Sequence, residues 1–203
     1  MFSNLSFSLL CKNAMPFMNK TILTFLIALL SFFSACEKMA DIGSPSIYSK
    51  GSLSFSYPGN WYVESEEKFG GPNDDSSLIS LQSPGNANVM ICFYDFEDDE
   101  TLMEFATEFS RDMASEIEDT IPLSKVGKIE FSKVTREGIS GPIEGLSNKI
   151  PLVFLGQKVP QALEYFTLKK QNKTVFIVCQ SSEEDLEKTE PAFKQIVQTF
   201  ELK

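Results

Sequence analysis

Short runs of alternating apolar and polar residues, separated by turn-forming residues, dominate the chain after residue 50. Leu53, Phe55 and Tyr57 alternate with serines and end at a Pro-Gly-Asn turn, which predicts a strand closed by that turn. Runs of similar character predict further strands at 61–65, 77–81, 89–96, 126–135, 161–170 and 174–181. The last two runs are separated by a short polar stretch, so we expect them to form a hairpin.

A first helix is predicted after the acidic run 97–100. Thr101 and Glu104 have the spacing of a capping box, in which each residue satisfies a backbone N–H of the other. One apolar stripe at helical spacing follows: Leu102, Phe105, Ala106, Phe109, Met113 and Ile117. This stripe indicates a helix that packs against a sheet.

A second helix closes the chain. Its apolar positions end at Phe200, and Pro191 falls inside the pattern. Proline suits the first turn of a helix, so we expect a short turn from Glu183 and a new helical start near Glu190. The stretch 144–154 is irregular. Strands, helix, strands and helix predict an α+β domain with a mainly antiparallel sheet.

The front of the chain has the pattern of a secretory signal. Residues 22–33 are apolar apart from two hydroxyl residues, they follow Lys20, and small residues lead to Cys36. Such a core is too short to span a bilayer and predicts a signal peptide over residues 1–35. Met18 directly precedes a complete signal of this kind, so it is a second candidate for the true start.

The sequence Phe33-Ser34-Ala35-Cys36 resembles the lipobox of bacterial lipoproteins, usually Leu-[Ala/Ser]-[Gly/Ala]-Cys, with Phe33 in place of leucine. The resemblance implies cleavage before Cys36, a diacylglyceryl thioether on its sulfur and a further acyl chain on its amino group. Two or three chains anchor a protein stably where one does not. The alternative is an ordinary signal that ends near a cysteine. Asp at the position of Glu37 is the inner-membrane retention signal of enteric-type lipoproteins, whereas Glu leaves both membranes open. In a cell with an outer membrane we favour the outer over the inner membrane, with the domain facing the periplasm.

Charge limits the classes of partner. The chain holds 18 Lys and Arg against 28 Asp and Glu, which argues against a protein that binds nucleic acid by neutralising phosphates. Residues 1–35 contain Lys12 and Lys20 and no acidic residue, so the chain from Cys36 onward has a net charge of −12. Anionic headgroups repel such a surface. We therefore expect the membrane contact to come from the lipid on Cys36.

Residues 37–50 lack periodicity and contain Gly43, Ser44, Pro45 and Ser46, which is typical of a flexible linker. A linker of this length would span roughly 20 Å. The predicted organisation is thus a signal peptide at 1–35, a lipidated cysteine and tether at 36–50, and one domain at 51–203.

Few residues suggest a reaction. The chain has no histidine, which removes His-based triads and His metal ligands. Cys92 and Cys179 lie in predicted strands, either as a disulfide or as two buried thiols. The acidic runs 74–75 and 97–100 lack the spacing of a calcium-binding loop, and acids before a helix suit its dipole. We assign no catalytic residue, no metal ligand and no cofactor.

The opening and the end of the domain resemble those of PsbP-like domains. At the opening, an apolar strand at Leu53 meets a Pro-Gly turn and then Trp61-Tyr62-Val63; at the end, a hairpin precedes the acidic helix 183–200. The resemblance implies an α/β/α sandwich around a central sheet. The group includes photosystem II extrinsic proteins, a nuclear import factor and DcrB-like bacterial lipoproteins, which bind partners.

The sequence therefore favours a lipid-anchored envelope lipoprotein that acts as a non-catalytic binding or assembly module for an unidentified envelope protein. Two alternatives stay open. The first is an envelope enzyme of unknown reaction that uses carboxylates, and the second is a soluble exported protein that binds a ligand. Trp61 and Tyr62 are candidates for lining a groove, although one of an alternating pair normally faces the core.

Overall fold

The computed structural model describes residues 38–69 and 74–203. These residues form a series of strands and two α-helices, with a short 3-10 turn at Glu183–Asp185 before the second helix. The elements are β1 (Ser46–Lys50), β2 (Leu53–Tyr57), β3 (Tyr62–Lys68), β4 (Ser77–Gln82), β5 (Asn88–Tyr94), α1 (Leu102–Thr120), β6 (Ser124–Val126), β7 (Phe131–Gly138), β8 (Gly141–Ile150), β9 (Leu152–Phe154), β10 (Gln157–Lys158), β11 (Gln161–Lys170), β12 (Lys173–Ser182), α2 (Leu186–Thr199) and β13 (Glu201–Leu202). The predicted α+β class is confirmed.

An antiparallel sheet of seven strands lies at the centre, in the order β3-β4-β5-β12-β11-β8-β7. Helix α2 and the small sheet β1-β2-β13 pack on one side, which we call the first face. Helix α1 and the small sheet β10-β9-β6 lie on the other side, the second face. The buried apolar residues therefore form two cores, one on each face of the central sheet.

Two local predictions are confirmed in detail. Thr101 Oγ1 accepts from the backbone N–H of Glu104 at 3.2 Å, and a Glu104 carboxylate oxygen accepts from the N–H of Thr101 at 2.9 Å. Strands β11 and β12 form the expected hairpin, joined through Gln171 and Asn172, which have φ of 52° and 60°. Asparagine tolerates this left-handed conformation, which matches the twist of a two-residue hairpin.

The predicted tether is wrong for its last third, because residues 46–50 form strand β1. This strand pairs with β2 over five positions, and the ring of Tyr48 stacks on Phe55 with centroids 4.8 Å apart. The sequence Ser-Ile-Tyr-Ser-Lys has little apolar content of its own, so its strand depends on a neighbour that local pattern does not reveal. The folded domain begins before residue 51.

The stretch predicted to be irregular, 144–154, is also regular: it contains most of β8 and all of β9. Strand β8 contains Gly145, although glycine usually weakens a strand. Here glycine is required because a Cβ at this position would lie 2.5 Å from Cδ1 of Phe166 on the neighbouring strand. The predicted strand 126–135 covers only the last residue of β6, a connecting stretch at 127–130 and the first part of β7, and β6 and β7 belong to different sheets.

Helix α2 differs from the prediction at its start. The expected short turn is present at Glu183–Asp185, but the helix begins at Leu186 and continues through Pro191. Proline removes one hydrogen bond, to the carbonyl of Glu187 in the exposed first turn. The cost is small at that position, because Phe193 and Ile196 further along bury the helix in the first-face core.

Candidate functional site

Cys36 and the predicted signal peptide 1–35 lie outside the described residues. The chain is described from Lys38, and it is fastened to the domain almost at once. The N–H of Ala40 donates to the carbonyl of Lys188 on α2 at 3.3 Å, and the carbonyl of Asp41 accepts from Gly59 at 2.9 Å. Asn60 binds both sides of the segment, donating to the carbonyl of Met39 at 3.0 Å and accepting from the N–H of Asp41 at 2.8 Å.

Three large apolar side chains of this segment are exposed to solvent: Met39, Ile42 and Ile47, the last with 71% of its surface accessible. Gln195 of α2 donates to the carbonyl of Ile42 at 3.4 Å, which holds the backbone there against the helix. Ile47 lies on β1, an edge strand. We call residues 39–47 the anchor-proximal segment, because residue 39 is three positions after Cys36.

Cys92 and Cys179 are both buried thiols. Cys179 pairs in register with Val89, three positions from Cys92, so the two side chains point to opposite faces of the sheet. Cys92 packs in the second-face core and Cys179 in the first. A disulfide requires Cβ atoms about 4 Å apart on the same side. The disulfide alternative therefore does not fit the fold, and the two residues act as small apolar side chains.

The acidic runs have structural partners. Asp75 pairs with Lys68 at 2.6 Å, and Asp74 accepts from the N–H of Ser76 at 2.7 Å. Asp98 accepts from the N–H of Glu100 at 2.8 Å just before helix α1. Within residues 38–69 and 74–203, no group of three or more Cys, Asp or Glu is arranged to hold a metal ion.

Trp61 and Tyr62 divide between core and solvent, as an alternating pair should. Trp61 is 4% exposed and meets Phe193 of α2 edge-on at 6.1 Å, whereas Tyr62 is 51% exposed. Trp61 is thus a packing residue of the first-face core.

A buried polar group that the sequence did not reveal joins α1 to the sheet. Ser110 shares a hydrogen bond of 2.8 Å with the hydroxyl of Tyr165, and the amide nitrogen of Asn148 donates to Ser110 at 2.7 Å. Burial raises the pKa of Tyr165 to about 12, although the bonds from Ser110 and Asn148 act in the opposite direction. The phenol is therefore neutral at ordinary pH and holds the helix in place.

On the first face, a cluster of charges joins β7, β11 and α2. Arg136 binds both oxygens of Glu164, with Nη2 to Oε1 at 2.5 Å, and its Nη1 contacts Glu190 at 3.1 Å. Glu190 also pairs with Lys194 at 3.0 Å. Bonding to Lys194 and Arg136 lowers the pKa of Glu190. The carboxylates of Glu164 and Glu190 are paired with basic side chains, and the ion pair between Arg136 and Glu190 joins α2 to the sheet.

The second face has its own exposed apolar pair at the end of its small sheet. Leu123 and Leu155 flank the register pair Ser124 and Phe154 of strands β6 and β9. They are 77% and 65% exposed, and both have positive φ, of 65° and 49°. Leucine rarely adopts this conformation. We call these two residues the leucine tip.

The described helices give no candidate for a membrane span: within residues 38–69 and 74–203, neither is both long and apolar enough to cross a bilayer.

No protein-family model and no curated protein sequence matches the chain. Among solved structures, it is similar to the cyanobacterial PsbP protein of Synechocystis sp. PCC 6803, with 12% identity, a TM-score of 0.46, and coverage of 86% of this chain and 99% of that one. It is also similar to LpqN of Mycobacterium tuberculosis, described as involved in cell envelope biogenesis, with 10% identity, a TM-score of 0.38, and coverage of 78% and 89%. The first of these belongs to the group that the sequence resemblance named. The central sheet with a helix on each face is the α/β/α arrangement that the resemblance implied.

Proposed function

We propose that the protein is an exported lipoprotein of the cell envelope, held to a membrane by lipid on Cys36, and that its domain acts by binding another envelope protein. The observation that carries the anchor is the apolar run 22–33 followed directly by Phe33-Ser34-Ala35-Cys36.

The arrangement of polar groups favours binding over catalysis. Arg136 and Glu164, whose side chains are both largely buried, neutralise each other, and Tyr165 is neutral and hydrogen-bonded. Groups that are paired and hydrogen-bonded inside the protein stabilise its packing, whereas a catalytic general acid or base needs access to a substrate.

The anchor is tested by intact-mass analysis of the N-terminal peptide from the membrane fraction. We expect a peptide that begins at Cys36 and carries a diacylglyceryl group and an additional acyl chain. Cys36→Ser should abolish this modification and leave an unprocessed or soluble protein, while Cys11→Ser, which lies before the apolar run 22–33, should change nothing. Normal membrane retention of the Cys36→Ser protein would overturn the anchor.

Outer-membrane placement is proposed from Glu37. Separation of inner and outer membranes should find the native protein in the outer fraction, and Glu37→Asp should move it to the inner one. The same distribution for both proteins would contradict the assignment.

The binding role is tested in cells with a photo-crosslinking amino acid at Tyr62, Ile139 or Leu155, three exposed positions on separate parts of the domain. We expect a discrete adduct with an envelope protein at one of them, lost in the Cys36→Ser background because the domain is then misplaced. Adducts at none of the three positions would overturn the binding module.

A further inference from the structure

The distance between the proposed anchor and the folded domain is very short. Only Glu37 and Lys38 separate Cys36 from Met39. Consecutive Cα atoms are about 3.8 Å apart, so the Cα of Met39 lies within about 11 Å of that of Cys36 in any conformation. From Met39 onward the chain is hydrogen-bonded to Asn60, Gly59 and α2. The domain therefore cannot stand clear of the headgroups on a flexible tether.

The surface brought to the membrane in this way is apolar. Met39, Ile42 and Ile47 all project into solvent within the first ten described residues. A single exposed apolar side chain is ordinary, but a group of them marks a contact surface. Met39 and Ile42 follow Cys36, the proposed lipidation site, by three and six positions, which favours the membrane as the surface that they contact.

Local charge does not oppose this contact, despite the net acidity of the chain. Lys38 is exposed, and the Asp41 carboxylate accepts from the N–H of Ser44 at 3.2 Å. Lys50 at the end of β1 pairs with Glu66 at 2.7 Å. The anchor-proximal segment itself carries a single charge, Asp41, and Lys38 directly precedes the segment, so the segment adds little to the repulsion between the protein and anionic headgroups.

We propose that the anchor-proximal segment lies on the bilayer, with Met39, Ile42 and Ile47 in the boundary between headgroups and acyl chains. The lipid and this apolar surface together hold the domain in one orientation, with the first-face layer towards the membrane. The leucine tip belongs to the layer on the opposite face and is directed away. This inference rests on the proposed acylation of Cys36.

The test uses the acylated protein reconstituted in vesicles of phosphatidylethanolamine with a minor fraction of phosphatidylglycerol, whose acyl chains carry bromine. A bimane fluorophore is attached after Ile42→Cys or Ile47→Cys, and the matched controls are Leu123→Cys and Leu155→Cys. The buried thiols Cys92 and Cys179 do not compete for the label in the folded protein. All four labelled positions are exposed, so folding is not at risk.

Bromine quenches only fluorophores at the depth of the acyl boundary. We expect loss of about half the fluorescence at positions 42 and 47 and little at 123 and 155, since an interfacial group sits about 5–10 Å deep. Equal, weak quenching at all four positions would overturn the orientation, as would stronger quenching at the leucine tip.

Intact mass of the same sample separates the proposed acylation of Cys36 from the proposed orientation of the domain on the bilayer. An acylated Cys36 with unquenched labels would reject the orientation and leave the anchor standing, whereas an unmodified Cys36 would reject both. A Gly-Ser insertion of about 20 residues between Lys38 and Met39, with a span of about 25 Å, measures the contribution of the side chains themselves. Quenching at position 47 should stay above that at 155; a fall to the same level would overturn the insertion of these side chains.

Discussion

The ring of Phe105 lies flat against the ring of Phe176, with centroids 4.2 Å apart and 7° between the planes. This contact joins α1 to β12 in the middle of the central sheet, and both residues are buried in the second-face core. Phe105 also contacts Phe109 one turn along the helix, at 6.1 Å. The apolar stripe predicted for α1 is therefore the face that holds the helix on the sheet.

Phe105→Asp should unfold the domain or destabilise it by about 4 kcal/mol or more, since it opens a cavity and buries an unpaired charge. Met103→Asp is the matched control, because Met103 lies on the exposed side of the same helix. Urea denaturation followed by circular dichroism measures both. Equal midpoints for the two variants would show that the helix face is assigned wrongly.

Arg136→Ala should destabilise the domain by about 3 kcal/mol, because Glu164 is then left buried without its cation. Arg111→Ala is the comparison: Arg111 pairs with Glu108 at 3.3 Å on the surface, where such a pair contributes less than about 1 kcal/mol. The double replacement Arg136→Met with Glu164→Met should recover most of the loss. Equal urea midpoints for Arg111→Ala and Arg136→Ala would contradict a structural role for the ion pairs of Arg136.

The raised pKa of Tyr165 predicts that the domain loses free energy of unfolding at alkaline pH. Its pKa in the folded protein is raised by burial to about 12 from the ordinary value of 10.0. The folded state holds this proton more tightly than the unfolded state, so the stabilisation is complete below pH 10 and is lost as the pH rises from about 10 to about 12.

Tyr165→Phe should lower stability near neutral pH by about 1–2 kcal/mol, because Ser110 and Asn148 lose a buried partner. The same variant should lose less further stability between pH 10 and pH 12 than the native protein. Tyr62→Phe, at an exposed position, should leave both quantities unchanged. Thermal melts at a series of pH values provide the measurement, and parallel curves for native and Tyr165→Phe proteins would refute the assignment.

Cys92 and Cys179 should react with a thiol reagent only after unfolding. Burial raises the pKa of the Cys179 thiol, with a further contribution from the nearby Glu164 carboxylate, so little thiolate is present in the folded state. In the protein with Cys36 acylated, two thiols should be labelled in denaturant without any reductant. If labelling required a reductant, Cys92 and Cys179 would be joined by a disulfide, which would contradict their placement on opposite faces of the sheet.

Local sequence determined those parts of the fold in which neighbouring residues interact. The capping box needs only Thr101 and Glu104, and the β11–β12 hairpin needs two alternating runs and a turn at Gln171 and Asn172. The stripe of α1 follows from helical periodicity alone. Such features are encoded within a few residues, and together they were sufficient to predict the α+β class.

Tertiary structure decided everything that depends on residues distant in the chain. Ser46–Lys50 is a strand because β2 lies beside it, and Gly145 permits a strand because the ring of Phe166 occupies the space of a side chain. A register offset of three positions put Cys92 and Cys179 on opposite faces of the sheet. The sequence alone supplied the candidate anchor, Cys36; only the packing of residues 39–47 on α2 and Asn60 determined which surface lies next to it. The physical reason is that sheet register and layer packing are set by contacts between distant segments, which no local pattern records.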